Sequence, residues 1–121
     1  MVKEEGFVNQ NLEAILTVEL SNGAPIDCVL DTGFYGNLLL PREFIEENSM
    51  RITGTENIVM IEDNAIEINT AKADVKWLGD NFSINILVSE TGDALIGTEM
   101  LIDTFLEIDY INLTVKITKP K

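Results

Sequence analysis

Val29-Leu30-Asp31-Thr32-Gly33 is the stretch on which the reading of this chain turns. It continues an apolar strand, since Ile26, Cys28 and Leu30 alternate with Asp27 and Val29 at the period that puts one set of side chains on a buried face. A carboxylate, a hydroxyl and a glycine then stand where a plain core strand would run on. A lone buried carboxylate is costly unless something pairs with it. Glycine at such a point lets another backbone or a ligand come close. These residue types point to a site, and the alternative is an ordinary turn closing a strand.

The pattern of two extends in both directions. Upstream, Leu12, Ala14, Leu16, Val18 and Leu20 alternate with Glu13, Ile15, Thr17 and Glu19, and Asn22-Gly23 predicts a hairpin turn into the strand that ends at Asp31. Downstream, Leu38-Leu39-Leu40 is a short apolar run, and Pro41 at a first helical position opens a helical turn over 41–47. Residues 57–61 and 66–70 flank the polar tetrad Glu62-Asp63-Asn64-Ala65, a second hairpin with its tip in the tetrad. Ala71, Ala73, Val75 and Trp77 predict a further strand, and Phe82, Ile84, Ile86 and Val88 its return. Ala94-Leu95-Ile96-Gly97 is a short buried strand, 98–103 one or two helical turns, and 106–110 with 113–117 a last strand pair. The expectation is an all-β fold, a small closed barrel with one or two short helices. A loose internal echo links 28–33 with 94–97, each an apolar segment ending in glycine before a short helix, and it is too weak to be a sequence repeat.

Composition narrows the function classes. A length of 121 residues fits a single domain over 1–121, and a hydrophobic content of 45% predicts a packed core. Acids outnumber bases 21 to 8 for a net charge of −13, so phosphate backbones and anionic lipid are poor partners and neither nucleic acid nor membrane is expected. There is no histidine, which removes the commonest general base and zinc ligand and every Ser/His or Cys/His pairing. Cys28 stands alone on a buried strand face and reads as a small core hydrophobe. The glycines form no phosphate loop and the acids no calcium loop, so no cofactor and no metal is expected. No apolar run is long enough to span a bilayer, and the first residues lack the apolar core of a signal peptide, which predicts a cytoplasmic protein. Chemistry, if present, runs on carboxylates, hydroxyls or backbone groups.

Leu30-Asp31-Thr32-Gly33 resembles the hydrophobic-Asp-Thr-Gly signature of aspartic proteases, and Ala94-Leu95-Ile96-Gly97 with Met100-Leu101 resembles their second signature, which buttresses the active-site loop. The spacing of the two glycines is similar to that of retropepsin-like subunits. The segment from Asp31 to Pro41 and the tail Leu106-Glu107-Ile108-Asp109-Tyr110 most resemble the single-domain prokaryotic branch of that family. The likeness runs from about Leu12 to Ile117. One position departs from the general pattern: most of the family has Ser, Thr or Ala after Asp-Thr-Gly, and this chain has Phe34, an aromatic as is common in the prokaryotic branch.

The resemblance implies a homodimer acting on a peptide or protein substrate. Two aspartates sharing one proton around a bound water make such a site, because like charges that close cannot both ionise. Only one Asp-Thr-Gly is present, so Asp31 of two copies would meet on a two-fold axis. By the resemblance Asp31 is catalytic, Thr32 hydrogen-bonds across the axis, Gly33 lets the two loops meet, and Gly97 supports the loop. Glu62, Asp63, Asn64 and Ala65 would be the tip of a flap over the substrate. Two other readings stay open: a catalytically silent protease-like domain that dimerises or binds peptides, and an unrelated small barrel with a chance tripeptide. The second turns on whether Asp31 and Gly97 are neighbours.

Overall fold

Alternation builds the framework. Leu16, Val18 and Leu20 point inward from β2 (Ala14–Leu20) while Thr17 and Glu19 face solvent. The chain returns as β3 (Pro25–Leu30). Between them Gly23 adopts φ +93° and donates its N–H to the Leu20 carbonyl at 2.8 Å, the left-handed turn that Asn22-Gly23 predicts. The computed structural model describes residues 1–59 and 64–120. Its remaining elements are β1 (Val2–Val8), β4 (Leu38–Pro41), α1 (Arg42–Glu47), β5 (Ile52–Val59), β6 (Ala65–Trp77), β7 (Asp80–Ser89), β8 (Leu95–Ile96), a 3-10 turn (Thr98–Leu101), β9 (Phe105–Asp109) and β10 (Thr114–Lys119).

Among the described residues the strands form one ten-stranded sheet in the order β5-β6-β7-β4-β8-β3-β2-β1-β10-β9. A further pairing, Glu19 with Lys76 and Leu20 with Val75, brings β6 against β2 and closes the intervening strands into a ring. The seam is short, so the barrel is partly closed. The ring encloses Leu16, Val18, Leu38, Leu40, Ile86 and Ile96, all almost completely buried. Each such side chain contributes about 1.5–3 kcal/mol relative to exposure. Ile45 seals one end from α1, and Trp77 donates its indole N–H to the Met100 carbonyl at 3.0 Å inside the core. Cys28 is fully buried, and burial, with Asp27 adding to it, pushes the thiol up to about 12. It is a core hydrophobe with no accessible thiolate.

Three elements differ from the sequence expectations. Residues 66–70 and 71–77 belong to one strand, because β6 pairs outward with β5 up to Ala71 and inward with β7 from Thr70 onward, with no break between. Leu12 lies outside β2 in a tight turn at φ +63°, held by the Asn9 side chain, which accepts the N–H of Asn11 and Glu13. Pro41 caps α1 from an extended conformation rather than forming its first helical residue. The strand β1 goes beyond those expectations, and it pairs with β10 along Val2 to Phe7.

Candidate active site

Asp31 sits where β3 ends. Its strand lies parallel to β8, Leu30 beside Ile96, and the Asp31 N–H donates to the Ile96 carbonyl at 2.9 Å. On its other side β8 runs antiparallel to β4, with Leu38 beside Ile96. One two-residue strand therefore ties together both ends of the loop 31–37. The residues after it brace the loop's middle: Gly97 N–H donates to the Asn37 carbonyl (2.8 Å), Thr98 N–H to Phe34 (2.9 Å) and Glu99 N–H to Gly36 (3.2 Å).

Within the loop the Asp31 carboxylate accepts the Gly33 N–H at 2.9 Å, and the Phe34 N–H donates to the Asp31 carbonyl at 3.1 Å. A Cβ at Gly33 would stand 3.2 Å from the same carboxylate oxygen. Asp31 is partly buried, and Thr32 and Gly33 are exposed beside it. The Phe34 ring folds back into the loop, so that a Cβ at Gly36 or at Gly97 would lie 2.8 Å from its carbons, and a Cβ at Gly97 would also overlap the Gly36 carbonyl oxygen.

A cleft of about 840 Å³ opens between this loop and the β5–β6 hairpin. Gly33, Phe34 and Tyr35 line one side of it, and Ile58, Ile66 and Ile68 line the underside of the hairpin. Cross-strand register explains the latter set: Ile58 pairs with Ile66, so these side chains share one face of the ribbon with Ile68.

The chain's sequence matches no protein-family model and no curated protein at a significant level. Its structure is similar to solved ones. A retropepsin-like aspartic protease from Rickettsia conorii superposes with a TM-score of 0.67 at 17% identity, over 95% of this chain and 89% of that one. The protease of EIAV, complexed with the inhibitor HBY-793, gives 0.63 at 20% identity over 78% and 90%. The retroviral protease-like domain of Ddi1 from Leishmania major gives 0.51 at 16% identity over 88% and 94%. This chain has the retropepsin-like fold.

In that retropepsin-like frame the two sequence signatures come together. The Asp31 N–H donates to the carbonyl of the residue before Gly97, so the neighbour relation on which the chance-tripeptide reading turned is present. The weak echo between 28–33 and 94–97 corresponds to two segments lying side by side as parallel strands. Of the expected flap tip, Asn64 and Ala65 are exposed at the start of β6, with Ala65 paired to Val59, while Glu62 and Asp63 lie outside the described residues. Asp27 accepts the Thr17 hydroxyl at 2.6 Å on the surface, and Asp93 accepts that of Thr91 at 2.7 Å, as solvated acids do. Sequence reasoning missed the role of Gly36, which makes room for the Phe34 ring. The signal was present as a bulky residue two positions before a glycine. Among the described residues no helix is long and apolar enough to cross a membrane.

Proposed function

We propose that this chain, as a single domain over residues 1–121, is one subunit of a homodimeric aspartic endopeptidase of the cytoplasm. The observation that carries the reading is Asp31 at the end of β3, on a loop braced by residues 96–99 beside a cleft roofed by a two-stranded hairpin. In the dimer the two Asp31 carboxylates share one proton. One acts as general base and takes a proton from the bound water as it attacks the scissile carbonyl carbon; the other protonates the carbonyl oxygen. Collapse of the tetrahedral intermediate breaks the C–N bond as a proton passes to the departing amine. Thr32 and Gly33 form the contact between the two loops, Gly97 supports them from behind, and the hairpin tip at Glu62, Asp63, Asn64 and Ala65 covers an extended peptide. A lone Cys28 that makes no disulfide suits a reducing compartment.

Exposed apolar side chains support a second copy at the Asp31 end of the sheet. Phe7 pairs with Ile15, which pairs with Val29, and the Val8 N–H donates to the Leu113 carbonyl, so the turns 9–13 and 110–113 lie at the end where β3 delivers Asp31. There Ile111 is 92% exposed and Leu12 64%. The inward side chains of β10, Val115 and Ile117, are covered by the chain's own core. The contact therefore rests on these turns and on the outer faces of the terminal strands.

The test is a digest of a denatured proteome by the wild type and by Asp31→Asn, read by mass spectrometry from acid to neutral pH, with sedimentation of both proteins. Cleavage and a dimer are expected for the wild type, with cleavage lost in Asp31→Asn. Equal cleavage by both forms, or only monomer at high concentration, overturns the enzyme. A second reading, a silent peptide-binding dimer, is favoured by Phe34 where most of the family carries a small side chain. Its signature is peptide binding without cleavage by the wild type.

A further inference from the structure

The charge of the cleft is one-sided. Among the described residues its lining includes Glu56 and Glu99 and no Lys or Arg. Glu56 pairs with Ile68, which puts its side chain on the underside of the hairpin, in the same row as Ile58. Glu99 stands at the opposite wall, its backbone N–H fixed on the Gly36 carbonyl. Among the described residues the cations that form ion pairs are Lys3, Arg42, Lys76 and Lys116, and their partners are Glu5, Glu90, Glu19 and Glu107, so neither Glu56 nor Glu99 is neutralised. Around the two glutamates, Ile84, Ile86 and Leu95 add to the three isoleucines of the hairpin, interspersed with the uncharged polar Ser83 and Asn85.

A peptide seated in such a cleft displaces water from both carboxylates. Desolvating them without a counter-charge is unfavourable, so a wholly apolar peptide would lose part of what its contacts provide. A cationic side chain reverses the sign, because Coulomb attraction strengthens as water leaves. We infer that the cleft selects extended peptides that combine aliphatic side chains with a Lys or Arg held between Glu56 and Glu99. The inference rests on the reading of this cleft as a peptide site, and it names the substrate class that reading leaves open. Aliphatic side chains fill the isoleucine-lined wall, the strand-like backbone spaces alternate side chains along the groove, and the cation is drawn to the glutamates. In a two-fold dimer each half of the site carries its own pair.

The test separates binding from cleavage by using Asp31→Asn protein. Fluorescein-labelled octapeptides of Ile and Phe, with one position scanned as Lys, norleucine or Glu, are titrated by anisotropy. Norleucine keeps the length of lysine without its charge. At one or two positions Lys is expected to bind about fivefold tighter than norleucine for each glutamate engaged, and Glu weaker than either. Glu56→Gln and Glu99→Gln should each reduce that ratio, and Glu99→Lys should invert it in favour of the Glu peptide. Equal binding of Lys and norleucine peptides at every position overturns the inference, as does a ratio unchanged in both Gln variants or no binding of any peptide. Wild-type cleavage without basic residues near the cut overturns the inference and leaves the peptidase standing. A Lys preference in binding with no wild-type cleavage does the reverse.

Discussion

The loop 31–37 and the outer half of the β5–β6 hairpin face each other across one cleft, yet they are held in opposite ways. Four backbone hydrogen bonds pin the loop to residues 96–99, and three glycines are fitted against the groups beside them. The hairpin has no such support: β5 has β6 as its sole neighbour among the described residues, and its residues from Ile52 to Asn57 are exposed. The contrast suits the proposed function: there, catalytic atoms would be braced from a distant part of the chain, and a segment admitting a peptide would pair mainly with itself.

The largest effect that could break the comparison falls at Asp31. Asp31→Asn should lower peptidase activity by about a thousandfold or more while leaving the circular dichroism spectrum and melting temperature at or above wild type. A comparable loss of fold would mean that the carboxylate is part of the brace itself. Next comes Gly97→Ala. Its methyl group meets the Gly36 carbonyl, which belongs to the backbone and has nowhere to move, so denaturant unfolding should show a loss of about 3 kcal/mol or more. Gly36→Ala meets only the Phe34 ring, which can turn aside, and should cost about 1–2 kcal/mol. A double-mutant cycle sharpens this: Phe34→Ala should relieve most of the Gly36→Ala cost and little of the Gly97→Ala cost. Additive costs at 34 and 36 would mean that the ring does not fix the loop.

The hairpin is tested by native-state hydrogen exchange. Amides of 54–58 and 66–69 should exchange faster than those of 15–18 and 28–31, and uniform protection across both regions would remove the contrast. The smallest effect is one of pH. The folded Cys28 thiol is raised to about 12 from an unfolded value of 9.0, so its contribution is fully present below pH 9 and is lost as pH rises towards 12. Stability should therefore decline over that interval more in wild type than in Cys28→Ala, as read by urea midpoints.

The braced half was the more legible in sequence, for a physical reason. A carboxylate and a glycine at the end of an apolar strand break a pattern, and a broken pattern is informative. Asp31, Gly33 and Gly97 could be marked as a break in pattern from the chain alone, as could the paired strands at 57–59 and 66–70. What stayed hidden depends on partners far away in sequence. In β1 the inward positions are Val2, Glu4, Gly6 and Val8, and two of the four give no apolar signal. Glu4 is there because its carboxylate accepts the Leu78 N–H at 2.9 Å, and Gly6 because a Cβ would overlap the Ile15 carbonyl of β2. The fusion of two expected strands into β6 was invisible likewise, since each half alternates correctly and only the pairing with β5 and β7 joins them. Nothing in the sequence singles out Glu56 and Glu99, and only the cleft groups them.

The indole of Trp77, 3% exposed and bonded to the Met100 carbonyl, gives the molecule an internal reporter. It is the only tryptophan in the chain, and Met100 lies three residues after Gly97 on the segment that supports the loop. Its emission is therefore a one-residue optical readout of whether that segment remains docked. A red shift on loop damage would be seen without label or substrate, whereas movement of the hairpin, whose cleft the indole does not line, should leave the colour unchanged.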